Sequence, residues 1–370
     1  MNNRELPRQC DIAVIGGGPA GATFARLAGP EHHVVLLDSR PHPQQSSRRD
    51  RGKCCGGLLA PDAQEELAAQ GLALPLSLLV DPQIFAVRVI DLGAPCPERL
   101  YPRHYVNLDR ARFDRWLLSL VPEGRVFSGM TARTITRTGE GFVVAGRSEN
   151  GDFVLNARCV VGADGAASLV RRALFPDRPI RRYAAVQEWF EASGSSPLYG
   201  ALFDPETTDC TGWLLAKDGC LGLGAAFPLD HPARRFALLK QKLEARGFVF
   251  GRRLRREGCL VCRPSQVSEL VTGDGGAYLL GEAAGFVSPS SLEGISWALN
   301  SGALLARSLG ERPETAGPRY RAASQGLRLR LAGKLMKCPF LYRPPLRRLI
   351  LSTGVASLNA RSPSPTFIKN

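Results

Sequence analysis

The 370-residue chain has no apolar run that approaches the ~20 residues a membrane-spanning helix needs, so an integral helical membrane protein is excluded. Its first residues, MNNRELPRQ, are polar and lead straight into an apolar segment, so they do not read as a secretory signal. Ten cysteines are scattered without regular spacing, and the single CxxC, Cys259 to Cys262, has no second pair at zinc-site distance. No metal is expected; Leu260 and Val261 read as strand packing. The chain is read as cytoplasmic, with its cysteines as thiols. Acid is scarce at one end. Between residues 311 and 370, twelve Lys or Arg face only Glu311 and Glu314, so most of the formal +14 charge lies in that tail.

What is present begins at Cys10 to Gly21, CDIAVIGGGPAG, where an apolar strand runs into Gly16, Gly18 and Gly21. A strand, a tight glycine turn and the small residues Pro19 and Ala20 at a helix start let the backbone approach a pyrophosphate at the helix N-terminus. About 20 residues on, HVVLLD ends in Asp38, the carboxylate expected to accept from a ribose. A bound dinucleotide follows. Gly222-Leu223-Gly224 lacks a third glycine and a helix start, so no separate NAD(P)H domain is encoded.

With 44% hydrophobic residues the chain can bury a large core, and its patterning divides it into interleaved regions. Residues 1–71, 104–178 and 265–310 read as a discontinuous cofactor-binding domain; 72–103 and 179–264 read as a substrate domain of antiparallel strands. Ser39 to Lys53 is polar and reads as a loop. Cys54-Cys55-Gly56-Gly57 precedes a helix with Pro61 in its first turn and Gly71 beyond its end. Short alternating runs from Arg125 to Ala157 read as a meander leading into a separate buried strand, Cys159 to Gly162. Residues 311–370 read as a basic helical region.

The fingerprint at the N-terminus, Ala163-Asp164-Gly165 in the middle, and Gly281-Glu282-Ala283-Ala284-Gly285 with Pro289, Glu293, Gly294 and Ile295 near the end resemble the flavoproteins of the p-hydroxybenzoate hydroxylase fold. Within these the chain is similar to the geranylgeranyl reductase family, whose PCGG segment corresponds to Cys54 to Gly57. The resemblance implies an α/β fold, with a Rossmann-like FAD-binding domain of the glutathione reductase type 2 class. It also implies FAD as cofactor and an oxidoreductase that reduces carbon–carbon double bonds of an isoprenoid or similar apolar substrate by hydride transfer from flavin N5. The electron donor would be external, NAD(P)H or a protein carrier. The alternatives are a flavin monooxygenase working through a C4a-hydroperoxide and a membrane-associated flavoprotein whose role is mainly non-catalytic. Two departures stand out: Glu282 replaces the family's Asp, and of the family's aromatic substrate motif only Trp213 matches.

The expected cofactor residues are Gly16, Gly18, Pro19, Ala20, Gly21, Asp38, Cys55, Gly56, Gly57, Arg110, Asp164, Gly281, Glu282, Gly285, Gly294 and Ile295. Three keep two readings each. Asp164 orients amides near the pyrophosphate or caps a helix. Arg110 touches the cofactor or is a solvated helix residue, and Cys55 donates a proton to a substrate carbon or is a small residue that permits close approach. Trp189, Tyr199, Trp213 and Phe227 are the candidate pocket aromatics. In the tail, basic residues including Arg347 and Arg348 stand beside apolar positions; the tail is expected to dock its apolar face on the body, leaving its arginines in water, and still to expose enough charge for an anionic membrane surface, peripherally on the inner membrane. Nucleic acid is not expected, because only Tyr320, Phe340, Tyr342 and Phe367 are available there to stack on bases.

Overall fold

The computed structural model describes residues 5–41, 54–93, 98–192 and 198–358, and the loop expected over Ser39 to Lys53 falls largely outside them. Strand β1 (Gln9–Ile15) turns into α1 (Pro19–Ala28) and β2 (Val34–Asp38). Ile12 and Val14 pack with Phe24 of α1, while Ala13 and Ile15 face a second apolar layer. With both faces covered, the strand reads as continuously apolar. Then come β3 (Leu58–Leu59), α2 (Pro61–Ala69), β4 (Ile84–Asp91) and β5 (Arg99–Asn107). Helix α3 (Arg110–Ser119) is capped by Asp109, whose side chain accepts from the Arg112 amide at 2.9 Å.

Strands β6 (Val126–Ser128), β7 (Thr131–Thr138), β8 (Gly141–Ser148) and β9 (Gly151–Gly162) follow. The meander and the buried strand after it were expected as separate elements; β9 is instead one continuous strand of 12 residues. After α4 (Leu169–Leu174) the chain builds β10 (Arg182–Glu191), β11 (Leu198–Phe203), β12 (Gly212–Lys217), β13 (Cys220–Phe227), α5 (Pro232–Ala245) and β14 (Arg253–Cys262). It closes with β15 (Gly273–Asp274), β16 (Ala277–Leu279), α6 (Ile295–Ser308), α7 (Gly317–Ala323), α8 (Gln325–Tyr342) and α9 (Pro344–Thr353).

The first sheet runs β16-β9-β1-β2-β6 in parallel, with β15 antiparallel at one edge and β7–β8 hung from β9. Helices α1 and α6 pack together on one face. Their approach depends on Gly302, where a Cβ would stand 2.6 Å from the Ala20 carbonyl oxygen. The second sheet runs β14-β10-β13-β12-β11-β4-β5-β3. It departs from the expected antiparallel pattern at one place, because β4 and β11 pair in parallel. Those strands belong to different passes of the chain, so a long crossover is available. Pairing also carries Leu58–Leu59 and the end of β5 into this sheet. Helix α5 covers its outer face, setting Phe236, Leu239 and Leu243 against Phe190, Leu214, Leu223 and Phe227.

The tail folds back onto the body. Tyr320 is fully buried and donates to the Leu279 carbonyl at 3.1 Å, and Leu327 and Leu331 enter the layer that holds Trp297. Arg347, expected among the basic residues facing lipid, is instead buried. Its guanidinium pairs with Asp91 at 2.7 and 2.9 Å and lies over the Phe203 ring, because α9 closes on the end of β4. Arg348 is exposed.

Candidate functional site

A cavity of about 1010 Å³ lies between the C-terminal ends of the first-sheet strands and the inner face of the second sheet. That is the upper end of the ~300–1,000 Å³ range typical of small-molecule pockets. Two helix starts line it, Gly18–Pro19 of α1 and Gly294–Ile295 of α6, and neither N-cap has a side-chain cap. Their first-turn amides are thus directed to whatever occupies the cavity, at the positive end of each helix.

The glycines at the first turn separate into two kinds. Gly16 has φ 103°, and a Cβ there would stand 2.6 Å from the Ala163 carbonyl oxygen; at Gly21 it would strike the Gly16 carbonyl oxygen. Both are required by packing. At Gly18 a Cβ would meet nothing within 4 Å. Its missing side chain matters only to an occupant of the cavity, so the cradle fits the dinucleotide that the resemblance implies. Asp164 fits it too. One carboxylate oxygen accepts from the Leu169 amide at 2.6 Å and the Val170 amide at 3.3 Å, while the other is buried with no partner. Burial raises its pKa. Asp164 thus holds the amides at the start of α4, and its residue lies on the cavity wall.

Asp38 already has a partner. Its oxygens accept the Arg40 backbone amide at 2.9 Å and the Arg40 Nε at 3.1 and 3.0 Å. Arg40 continues to Asp114 at 3.2 Å and to the Gly17 carbonyl at 2.8 Å, and Asp114 also accepts Arg110 Nε at 2.7 Å. Arg110 reaches Cys55 Sγ at 3.6 Å, which the Gly57 amide approaches at 3.4 Å. Asp38 therefore holds Arg40 on the wall, and a chain of alternating charge runs from Asp38 to the Cys55 thiol. Arg110 is no solvated helix residue. Burial alone would lower its pKa, but Asp114 and Cys55 outweigh that and keep it charged. Beneath the same loop Lys217 donates to the Gly56 and Leu108 carbonyls at 2.6 and 2.7 Å, and burial lowers its pKa to about 8.

The wall includes Gly16, Gly18, Pro19, Ala20, Asp38, Cys55, Gly56, Arg110, Asp164, Glu282, Gly294, Ile295, Tyr199 and Trp213. Glu282 also accepts from the Cys262 amide at 2.8 Å. Gly21, Gly57, Gly281 and Gly285 lie behind the wall as packing or turn glycines; the last three have φ of 70°, 50° and 86°. Two of the aromatics lie off it. Phe227 faces α5 on the far side of the sheet, and Trp189 sits past the cavity, its Nε1 donating to Glu257 at 3.2 Å under the Arg255 guanidinium. Gly222 and Gly224 of β13 seat the indoles of Trp189 and Trp213, and a Cβ at either glycine would collide with its ring.

Sequence reasoning missed Arg40, Asp114, Lys217 and a group at the roof. There Tyr105 donates to Glu293 at 2.6 Å, and Arg103 reaches both Glu293 oxygens at 3.2 Å. The alternation of Tyr101, Arg103 and Tyr105 on β5 was the available signal. Burial raises the phenols of Tyr105 and Tyr199 and keeps them neutral. Among the described residues no group of three or more His, Cys, Asp or Glu is placed to hold a metal, and no helix is long and apolar enough to cross a membrane.

Solved structures share this architecture. A geranylgeranyl bacteriochlorophyll reductase-like protein from Thermoplasma acidophilum superposes with a TM-score of 0.67 at 18% identity, over 95% of this chain and 88% of the other. PqsL of Pseudomonas aeruginosa, described as a probable FAD-dependent monooxygenase, gives 0.65 at 19%, over 94% and 99%. The fold is thus that of FAD-dependent oxidoreductases and monooxygenases. No family model matches the sequence. Protein CbrA of Escherichia coli O9:H4 is 42% identical over 357 residues, 96% of each chain. The chain belongs to the CbrA family.

Proposed function

We propose that the protein is an FAD-dependent oxidoreductase that reduces carbon–carbon double bonds of an isoprenoid or similar apolar chain. One observation carries the reading: a glycine cradle whose Gly18 has no packing reason opens into the same cavity as an apolar chamber of Tyr199, Phe203, Trp213, Leu215, Val261 and Leu341. Bound FAD would supply the hydride. The amides of α1 would hold the pyrophosphate, Glu282 and Asp164 would accept from its sugar hydroxyls, and the start of α6 would favour negative charge on the flavin. Cys55 holds a proton for the substrate carbon, with Arg110 fixing its thiol. The chamber's aromatic walls exclude water. An external donor, NAD(P)H or a protein carrier, supplies the electrons. Cys55→Ser should keep FAD and fold yet slow alkene-dependent flavin reoxidation by about 10²-fold; an unchanged rate leaves Cys55 a packing role only.

The monooxygenase reading is favoured by the lone Trp213, since the rest of the reductases' aromatic motif is missing. Rapid reaction of the reduced enzyme with oxygen in the presence of an apolar ligand would support it over alkene reduction.

An anionic membrane is the proposed partner, at the cytoplasmic side of the inner membrane. Leu329, Met336 and Phe340 are exposed along one face of α8, near Leu349 and Ile350 of α9 in sequence, and Arg330, Lys337, Arg343 and Arg348 are exposed on the same two helices and the turn between them. Each basic residue near such a surface contributes ~1 kcal/mol. Co-sedimentation with phosphatidylglycerol vesicles at low salt should be lost on raising salt or in the Lys337→Glu/Arg348→Glu variant. No binding at low salt removes the membrane claim and leaves the enzyme reading standing.

A further inference from the structure

Cys54 and Cys259 are 205 residues apart in sequence and meet at the cavity wall. The Cys259 thiol donates to the Cys54 carbonyl oxygen at 3.7 Å, which brings the two residues into contact. Around them pack Trp213, Leu292, Tyr183 and Ala185. The neighbouring cysteines turn elsewhere: Cys55 toward Arg110, and Cys262 toward the Ala166 carbonyl at 3.9 Å. The CxxC of β14 is therefore not a thiol pair, because residues three apart on a strand face opposite sides. The pair that geometry makes is between β14 and the loop that carries Cys55.

We propose that Cys54 and Cys259 form a redox-responsive dithiol that closes to a disulfide and pins the Cys54–Gly57 loop to the second sheet. The oxidant is a low-molecular-weight disulfide. One thiolate attacks it, forming a mixed disulfide and releasing one small thiol; the second cysteine then displaces the other small thiol. Two protein thiols are oxidised, one small disulfide is reduced to two thiols, and the protons leave with them. The neighbouring Cys259, and then burial, push the Cys54 thiol up. Closure fixes the backbone of Cys55 from one side while Arg110 holds its thiol from the other, so the state of the pair governs the geometry of the cavity wall.

The test equilibrates the full chain with 2-hydroxyethyl disulfide and 2-mercaptoethanol at graded ratios, followed by alkylation and peptide mass spectrometry under native conditions. The expected result is a Cys54–Cys259 cross-linked peptide at oxidising ratios, opened by dithiothreitol and retained in Cys55→Ser. Cys54→Ser and Cys259→Ser should each lose it and carry a mercaptoethanol adduct on the remaining thiol. The oxidised wild type should melt at a higher temperature, since the cross-link constrains the unfolded chain, and neither Ser variant should show that rise. Absence of the cross-linked peptide in folded protein at every ratio, or a cross-link through Cys55 in its place, overturns the proposal.

Discussion

The cradle and the roof of the cavity are built by opposite means. The cradle is local: twelve residues from Cys10 to Gly21 supply strand, turn and helix start, and backbone atoms do the work. The roof is assembled from distant passes of chain, and its working parts are side chains: Tyr199 and Trp213 from neighbouring strands, Tyr105 and Arg103 against Glu293, Leu341 from the tail. A cradle of this kind tolerates little change but specifies only a class of ligand. A roof of this kind is replaceable piece by piece, and it is where specificity resides.

The largest test of the contrast is within the cradle itself. Gly18→Val should lose FAD absorbance almost completely while the apoprotein's urea midpoint stays near wild type, because no protein atom lies in the way. Gly21→Val should lose FAD and also cost about 1–3 kcal/mol of stability from overpacking. If Gly18→Val keeps its FAD, the cradle is not a nucleotide site.

On the roof side, Arg347→Ala strands the buried Asp91 and should cost about 3–5 kcal/mol. Limited proteolysis should then release α9, and pairing Arg347→Met with Asp91→Leu should restore much of the loss. A smaller effect joins the two regions at Lys217. Its pKa falls from 10.5 to about 8 on folding, mainly through burial. Between these values the unfolded chain binds more protons, so this group makes stability rise with pH from about 8 to about 10.5, and below 8 its penalty is fully present. The difference is worth about 3 kcal/mol. Lys217→Met should flatten that rise, measured as the change in urea midpoint between pH 7.5 and 10; an unchanged slope would mean that Lys217 does not titrate there.

The same contrast governs what could be read from the sequence. The first fingerprint and the start of α6 were legible because glycine spacing and apolar runs are local signals. Strand β9 was not. Its first half lies in a meander with one exposed face and its second half in a parallel sheet covered on both, so the change of pattern imitated a boundary. Phe227 and Tyr199 both alternate correctly for strands, yet which parity faces the cavity depends on where α5 packs. Arg347 read as surface charge because its partner, Asp91, lies 256 residues away. Arg40 was visible two residues after Asp38, but a basic residue in a polar loop carries no local mark of the carboxylates it joins.

The seats that Gly222 and Gly224 provide for the indoles have an engineering consequence. Strand β13 contributes no residue to the cavity, yet the depth to which Trp213 can lie back is set by the absence of a Cβ at Gly224. The chamber's dimension is thus encoded one strand away from the chamber. A ligand-range screen confined to lining residues would overlook it, whereas Gly224→Ala should tilt Trp213 forward and narrow the chamber.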